Sequence, residues 1–119
     1  RYVGRGDAPA RFAAVVESIV FLVAVNLEEM ATQRATPRRI VLTGGLARLD
    51  GFARRLAAVS GVTVERPGFT EATARGLGWL VAGRPGTWRE PAWQRDEPAE
   101  DDALRRRYRR WRRAMEAAV

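Results

Sequence analysis

The sequence predicts an α/β fold in which parallel strands are flanked by helices and a further helix docks at the C-terminal end. Two short apolar runs, residues 40–42 and 62–64, are rich in β-branched side chains and are typical of buried strands. Longer segments around them carry apolar residues at helical spacing. The order helix, strand, helix, strand, helix predicts two parallel strands joined by a crossover. Because two parallel strands make an incomplete sheet, we expect the chain to be part of a larger α/β domain.

The composition excludes several kinds of chemistry. The 119 residues include no cysteine and no histidine, which excludes disulfides, thiol nucleophiles, imidazole bases and zinc sites of the usual kind. All 21 basic residues are arginine, so a P-loop lysine is excluded as well. The net charge of +7 is compatible with binding to nucleic acid. We predict no metal site on this chain, and the lack of cysteine favours a cytoplasmic protein.

The first predicted helix covers about residues 10–33 and begins at Asp7 or at the turn near Pro9. Its apolar surface extends almost all round, which predicts burial on more than one side. The unbroken apolar run of residues 19–25 is too short to span a bilayer, so we expect no membrane segment. Glu17 stands alone in this apolar surface, and a structural acid paired with an arginine is favoured over a catalytic carboxylate. The residues at helical spacing are Phe12, Val15, Val16, Ile19, Val20, Val23, Leu27 and Met30.

The sequence is organised around a predicted strand, residues 39–43, that stops at Gly44 and Gly45 and leads into a helix. We expect this strand to be central in the sheet and its two glycines to face a cleft. Such a connection lets the backbone approach a phosphate, because glycine has no Cβ and a helix start offers free N–H groups. A tight turn without a ligand is the plain alternative. The helix is expected to end near Gly61 as a C-terminal cap. Its apolar face consists of Leu49, Phe52, Leu56 and Val59.

The second predicted strand, residues 62–64, is followed by a break at residues 65–68. Thr70 can cap the next helix, which runs to about Ala82. Gly76 and Gly78 lie inside that helix and indicate close packing against a strand or the approach of a ligand.

The C-terminal third divides into two parts. Residues 84–99 are rich in proline and tryptophan and predict a surface strap or a linker, and residues 100–119 predict an amphipathic helix. The seven arginines within residues 105–113 indicate the solvated back of that helix or, alternatively, a patch for anions or nucleic acid. The apolar stripe predicted to dock consists of Leu104, Tyr108, Trp111, Met115 and Ala118.

Taken together, residues 10–115 resemble the C-terminal part of the FGGY carbohydrate kinases, and the glycerol kinases most closely. The similarity lies in the order and spacing of several short stretches. The matching stretches are residues 16–21 (VESIVF), 27–30 (LEEM), 43–45 (TGG), 64–67 (VERP), 70–76 (TEATARG) and 107–115 (RYRRWRRAM).

The resemblance implies an actin-like ATPase (ribonuclease H-like) fold, of which residues 1–83 form part of the C-terminal nucleotide-binding domain. Gly44 and Gly45 would then lie against ATP, with Leu49 and Asp50 near the adenine. The glycerol kinases have an asparagine where Leu49 stands, and leucine can pack against adenine but cannot hydrogen-bond it. An inactive nucleotide-binding relic is therefore one alternative, and an arginine-rich module that binds nucleic acid or other anions is another.

The same resemblance implies an ATP-dependent kinase that acts on a polyol or sugar with Mg²⁺. The family's catalytic aspartate and first phosphate loops lie upstream of the stretches matched here, so we expect no catalytic residue on this chain and no activity from it alone. The expected partners are ATP, the substrate, the missing N-terminal domain and, in some assemblies, further copies of the protein. Membrane association is not expected, and nucleic acid is not an expected partner because the aromatic and motif cues for it are weak.

Overall fold

The computed structural model describes residues 6–49, 51–69, 71–89 and 91–118. These residues form four α-helices, one three-stranded sheet and a short 3-10 turn, Gly45–Arg48, so the predicted α/β class is confirmed. The helices and strands are α1 Ala8–Gln33, β1 Arg39–Val41, α2 Phe52–Ser60, β2 Thr63–Pro67, α3 Ala72–Val81, β3 Trp93–Asp96 and α4 Asp102–Glu116.

The sheet has the order β1-β2-β3. Strands β1 and β2 are parallel, with Ile40 opposite Val64, which confirms the predicted pair. The prediction that the first strand is central was wrong, because β3 pairs antiparallel with the other side of β2 and leaves β1 at an edge. The sheet is therefore mixed and not purely parallel. The predicted break at residues 65–68 was also wrong, since β2 continues to Pro67.

Strand β3 lies in the segment that the sequence predicted to be a strap or linker. Its residues are mostly exposed and lack the apolar alternation of a half-buried strand. Side-chain pairs to β2 hold it instead: Arg95 binds Glu65 at 2.7 Å and Arg66 binds Asp96 at 2.9 Å. Opposite charges across a strand pair stabilise a sheet, so β3 forms through partners that lie about thirty residues away in the sequence.

The hydrophobic core lies around α2, which packs against α1, α4 and β2. Helix α2 sits between α1 and β2, and its alanines let the neighbouring backbones come close. Its C-terminal cap, Gly61, has a φ of 70°, as predicted from the sequence. The buried core residues are Val20, Phe21, Ala24, Phe52, Ala53, Leu56, Ala57, Ala58, Val64, Leu104 and Tyr108.

Helix α1 begins at the predicted cap, where the Asp7 carboxylate accepts a hydrogen bond from the Ala10 N–H at 2.9 Å. Burial on more than one side was expected, yet Phe12 is 63% exposed and Met30 is 61% exposed. Within the described residues, α2 and α4 cover only one side of this helix. Helix α3 is similarly uncovered, with Leu77, Leu80 and Val81 exposed.

By length and composition alone, α1 could cross a membrane, and 17% of its most apolar stretch is buried in the structure. The sequence-based prediction considered only the unbroken run of residues 19–25, whereas the whole helix has the length that a bilayer requires. Core helices of soluble proteins share this length and composition. In the described residues, α1 packs on one side against α2 and α4.

Helix α4 docks through an aromatic cluster. The Phe21 ring lies 5.3 Å from the Tyr108 ring and 5.7 Å from the Trp111 ring. Leu104 is fully buried, whereas Met115 is 47% exposed. The prediction that Met115 and Ala118 also pack was wrong, because the last turn of α4 extends past the cluster around Phe21.

Ion pairs between α1 and α4 reinforce this contact. The Arg107 guanidinium donates to both Glu17 oxygens at 2.8 Å, so the prediction of a structural acid at Glu17 is confirmed. The Glu28 carboxylate binds Arg112 and accepts a 2.9 Å hydrogen bond from the Tyr108 hydroxyl. Burial, as the larger cause, and this hydrogen bond together raise the pKa of Tyr108 to about 12.

We expect Leu104→Ala to lower the free energy of unfolding by about 3 kcal/mol, because it leaves a cavity in a fully buried part of the core. Met115→Ala should lower it by less than about 1 kcal/mol, since that side chain is already half in solvent. Urea denaturation followed by tryptophan fluorescence measures both changes. A larger loss for Met115→Ala would contradict the docking face described here.

Candidate functional site

The candidate site is the edge of the sheet at which the two parallel strands end. Gly44 and Gly45 follow β1, and Gly68 and Phe69 follow β2. Because adjacent parallel strands end at the same edge, both connections lie there. In open α/β sheets, ligands bind at this carboxyl edge of the strands.

The two glycines of the first connection are explained differently. Gly44 has φ 83° and ψ −168°, a backbone conformation that is essentially restricted to glycine. Gly45 has no positive φ, and a Cβ added there would meet no described atom within 4 Å. The described structure therefore requires glycine at position 44 and gives no internal reason for glycine at position 45.

The path after the glycines differs from the predicted one. The 3-10 turn Gly45–Arg48 follows, and α2 begins only at Phe52, after Gly51 in the left-handed region with φ 74°. The turn is closed by a 3.1 Å hydrogen bond from the Ala47 N–H to the Gly44 carbonyl. The prediction that the helix starts at the glycines was wrong. An argument from the α2 dipole therefore does not apply to them.

Arg66 connects this turn to the sheet. Its guanidinium donates to the Ala47 carbonyl at 3.2 Å and to the Asp96 carboxylate of β3 at 3.1 Å. The turn is thus tied to β2 by one side chain, and β3 holds that side chain in place. Sequence reasoning missed this role of Arg66. The only signal in the sequence was that a charged residue follows closely after the apolar run of residues 62–64.

Glu65, the residue before Arg66, is a charged group in the middle of the sheet. It is 5% exposed and accepts hydrogen bonds from Arg95 at 2.7 Å and from Arg39 at 2.9 Å. The hydrogen bond from Arg95, helped by the charge of Arg39, holds the pKa of Glu65 below its ordinary value. Its carbonyl also accepts from the Leu42 N–H at 2.9 Å, which carries the ladder to the start of the turn.

The other predicted site residues have different positions. Leu49 is half-buried and packs against the core cluster, so its side chain serves the fold. Asp50, Thr70 and residues 1–5 lie outside the described residues. Where the chain is described, no group of three or more acidic side chains converges in a way that could hold a metal ion.

A shallow aromatic groove of about 320 Å³ follows Phe69 at the end of β2. The Arg75 guanidinium lies 4.8 Å from the centre of the Phe69 ring and 5.2 Å from that of Trp88, so it already covers a face of each ring. A Cβ on Gly76 would meet no described atom within 4 Å, so close packing against a strand does not explain this glycine. Sequence reasoning did not predict the groove. The residues lining it are Phe69, Ala72, Arg75, Gly76, Trp79 and Trp88.

Comparisons with known proteins match two thirds of this chain to one family. Residues 4–82 match the C-terminal domain of the FGGY family of carbohydrate kinases. The glycerol kinase of Brucella ovis is 36% identical over 107 residues, which cover 80% of this chain and 22% of that enzyme. The glycerol kinases of Rhizobium meliloti and Cereibacter sphaeroides are 33% and 34% identical, with 97% of this chain and 26% of each enzyme covered. The chain thus spans about a quarter of the length of these curated relatives.

Alanine substitution should separate the roles of the two glycines. We expect Gly44→Ala to lower the free energy of unfolding by about 1–3 kcal/mol, because alanine is strained at this φ and ψ. Gly45→Ala should change it by less than about 0.5 kcal/mol, since the backbone is ordinary and no described atom is near. Equal losses of stability, measured by urea denaturation, would contradict this distinction.

Glu65→Gln should alter how the stability depends on pH. Because folding lowers the pKa of Glu65 from 4.5, its contribution is present above that pH and is lost as the pH falls through the lowered value. The variant should be less stable at neutral pH and should lose less stability between about pH 5 and pH 2. Urea unfolding across this range measures the effect. The exposed Glu100→Gln is the control, and an identical profile for the two variants would refute the prediction.

Proposed function

This chain belongs to the FGGY family of carbohydrate kinases, and we propose that it is the nucleotide-binding C-terminal segment of an ATP-dependent polyol or sugar kinase similar to glycerol kinase. The complete protein would transfer the γ-phosphate of ATP to a hydroxyl of glycerol or of a similar polyol. The observation that carries the proposal is Gly45. It stands at the carboxyl edge of the parallel strands, inside the matched region, and the fold itself does not require it.

The glycine turn would bind the nucleotide through its backbone. A Cβ at position 45 would project into the space beside the turn, where a phosphate could approach the main chain. Gly44 fixes the path of the chain, and Arg66 holds the following turn against β2. ATP would bring Mg²⁺ with it, because the phosphates supply oxygen ligands that Mg²⁺ prefers.

The base-proximal part of the site would be apolar. Leu49 faces the core and could offer only van der Waals contact to an adenine, and we keep Asp50 as a proposed neighbour of the nucleotide. The catalytic base would come from the part of the protein that precedes this chain. Phosphoryl transfer depends on positioning and on charge stabilisation, so this segment would contribute position and no proton transfer.

In the complete protein we place this chain at the end of the second domain of an actin-like ATPase fold. Residues 1–83 would belong to the nucleotide-binding domain, residues 84–99 to the strap and residues 100–119 to the closing helix. The pairing of β3 with β2 and the docking of α4 on α1 would attach the last two parts to the first.

The exposed apolar faces of α1 and α3 support this placement, since the relatives have about three quarters of their length outside the matched part. We propose that the preceding chain covers these faces. Because Glu17 and Glu28 on α1 bind arginines of α4, lipid could not surround α1 without disrupting those pairs. A core helix in a cytoplasmic enzyme fits these contacts better than a membrane span does.

The decisive variant is Gly45→Val in the complete protein. It should raise the KM for ATP by about tenfold or more, equivalent to about 1.4 kcal/mol, because the branched side chain would occupy the approach to the backbone. The KM for the polyol should change much less. The measurement is ATP-dependent phosphorylation of a panel of polyols and sugars.

Gly86→Val is the matched control, because Gly86 also has no positive φ and no described atom near its Cβ position, yet lies outside the turn. Unchanged nucleotide kinetics for Gly45→Val, or equal effects of the two variants, would refute the assignment of the turn. A complete protein that binds ATP but phosphorylates no polyol or sugar would favour an inactive relic. That alternative is motivated by the leucine at position 49.

A further inference from the structure

We propose that the outer face of α4 binds the phosphodiester backbone of a nucleic acid, without regard to sequence. The binding surface is the arginine stripe, defined here as Arg106, Arg109, Arg110 and Arg113. These residues follow the i, i+3, i+4, i+7 spacing of one helix face. All four are exposed, and the stripe lies on the side of the helix opposite to the buried Leu104 and Tyr108.

The stripe is not used by the fold. Two other arginines of α4, Arg107 and Arg112, bind carboxylates of α1. Within the described residues, no member of the stripe lies within 4 Å of a carboxylate oxygen, and the one side-chain hydrogen bond among them runs from Arg113 to the Arg109 carbonyl. Six of the seven arginines of α4 therefore divide into a docking pair and a solvent-facing stripe, and Arg105 belongs to neither.

The clustering of like charges works against the helix. The stripe contains four like-charged pairs at i, i+3 or i, i+4 spacing, and each such pair destabilises a helix. Every basic residue of the sequence is arginine, so the use of arginine instead of lysine in α4 needs no separate explanation. The clustering does need one, since seven of the 21 arginines fall within residues 105–113. A bound polyanion would remove this repulsion, whereas no carboxylate in the described fold forms an ion pair with the stripe.

The size and shape of the surface favour a chain of phosphates over a single ion. A depression of about 510 Å³ lies along the stripe, lined by Ala103 and five arginines. The stripe extends for about 10 Å along the helix axis at about 1.5 Å per residue. This length spans three intervals of about 3.4 Å between successive phosphates of one strand, so it matches about four phosphates. The planar guanidinium also suits phosphate, because it can donate two hydrogen bonds at once.

The chemistry of the face favours nucleic acid over a membrane and predicts the mode of binding. Insertion into lipid needs an apolar helix face, and the apolar face of α4 is already packed on α1 and α2. The stripe contains no aromatic ring for base stacking, because Tyr108 and Trp111 point into the cluster with Phe21. Contact with phosphates alone gives affinity without sequence specificity.

The test uses the complete protein and a fluorescein-labelled single-stranded DNA oligonucleotide, followed by fluorescence anisotropy at several KCl concentrations. Saturating ADP fills the proposed nucleotide site, so that failure of this proposal and failure of the proposed function remain distinguishable. We expect the logarithm of the association constant to fall with the logarithm of the salt concentration with a slope of about −3, for four phosphates at about 0.7 each. The stripe variant R106Q/R109Q/R110Q/R113Q should bind at least tenfold more weakly at low salt and with a flatter slope.

The matched control variant is R11Q/R34Q/R38Q/R54Q, which removes the same number of charges from exposed arginines outside α4. It should retain most of the DNA binding. The double variant R106Q/R110Q should show an intermediate slope, and its circular dichroism should match that of the parent. Absence of binding by the unmodified protein, or equal losses for the stripe and control variants, would overturn the proposal. So would stripe-dependent binding of phosphatidylserine vesicles or of polyglutamate without binding of DNA.

Discussion

The buried carboxylate of Glu65 links all three strands of the described sheet. Glu65 lies on the middle strand and binds Arg39 on one neighbouring strand and Arg95 on the other. Removing a charge from water is costly unless partners replace the lost hydration, and here both oxygens are occupied. The backbone of the same residue continues the ladder to Leu42, immediately before the glycine turn. The position of the candidate site therefore depends on the ion pairs of Glu65 with Arg39 and Arg95, none of which we propose to contact the nucleotide.

The local features of the fold could be predicted from the sequence. These features depend on neighbouring residues or on simple patterns. They are the cap at Asp7, the glycine that ends α2 and the parallel pairing of the two apolar runs. Strand β3 could not be predicted, because it has no apolar pattern and exists through charges on β2. The same non-local pairing makes β2, and not the predicted first strand, the middle strand of the described sheet.

The candidate site was predictable in location but not in detail. The sequence indicated Gly44 and Gly45, and the backbone shows that only Gly44 is required by conformation. The 3-10 turn and its contact with Arg66 were missed, since no pattern marks a guanidinium that reaches a carbonyl nineteen residues away. The sequence placed Leu49 on an apolar face and, through the resemblance, near the adenine; its half-buried side chain packs on the core, which agrees with the first role. Pattern reasoning indicated the candidate turn because glycine is distinctive, and it missed the contacts that hold the turn because those contacts are tertiary.

The contact between α1 and α4 joins the two ends of the described chain. Glu17 and Arg107 are 90 residues apart in sequence, so this contact has a very high sequence separation. During synthesis at about 5–20 residues per second, α1 would wait roughly 5–20 s before its partner helix is made. Throughout that interval the Phe21 side chain lacks the rings of Tyr108 and Trp111 that later surround it. The closing helix thus sets the earliest moment at which this part of the protein can finish folding on the ribosome.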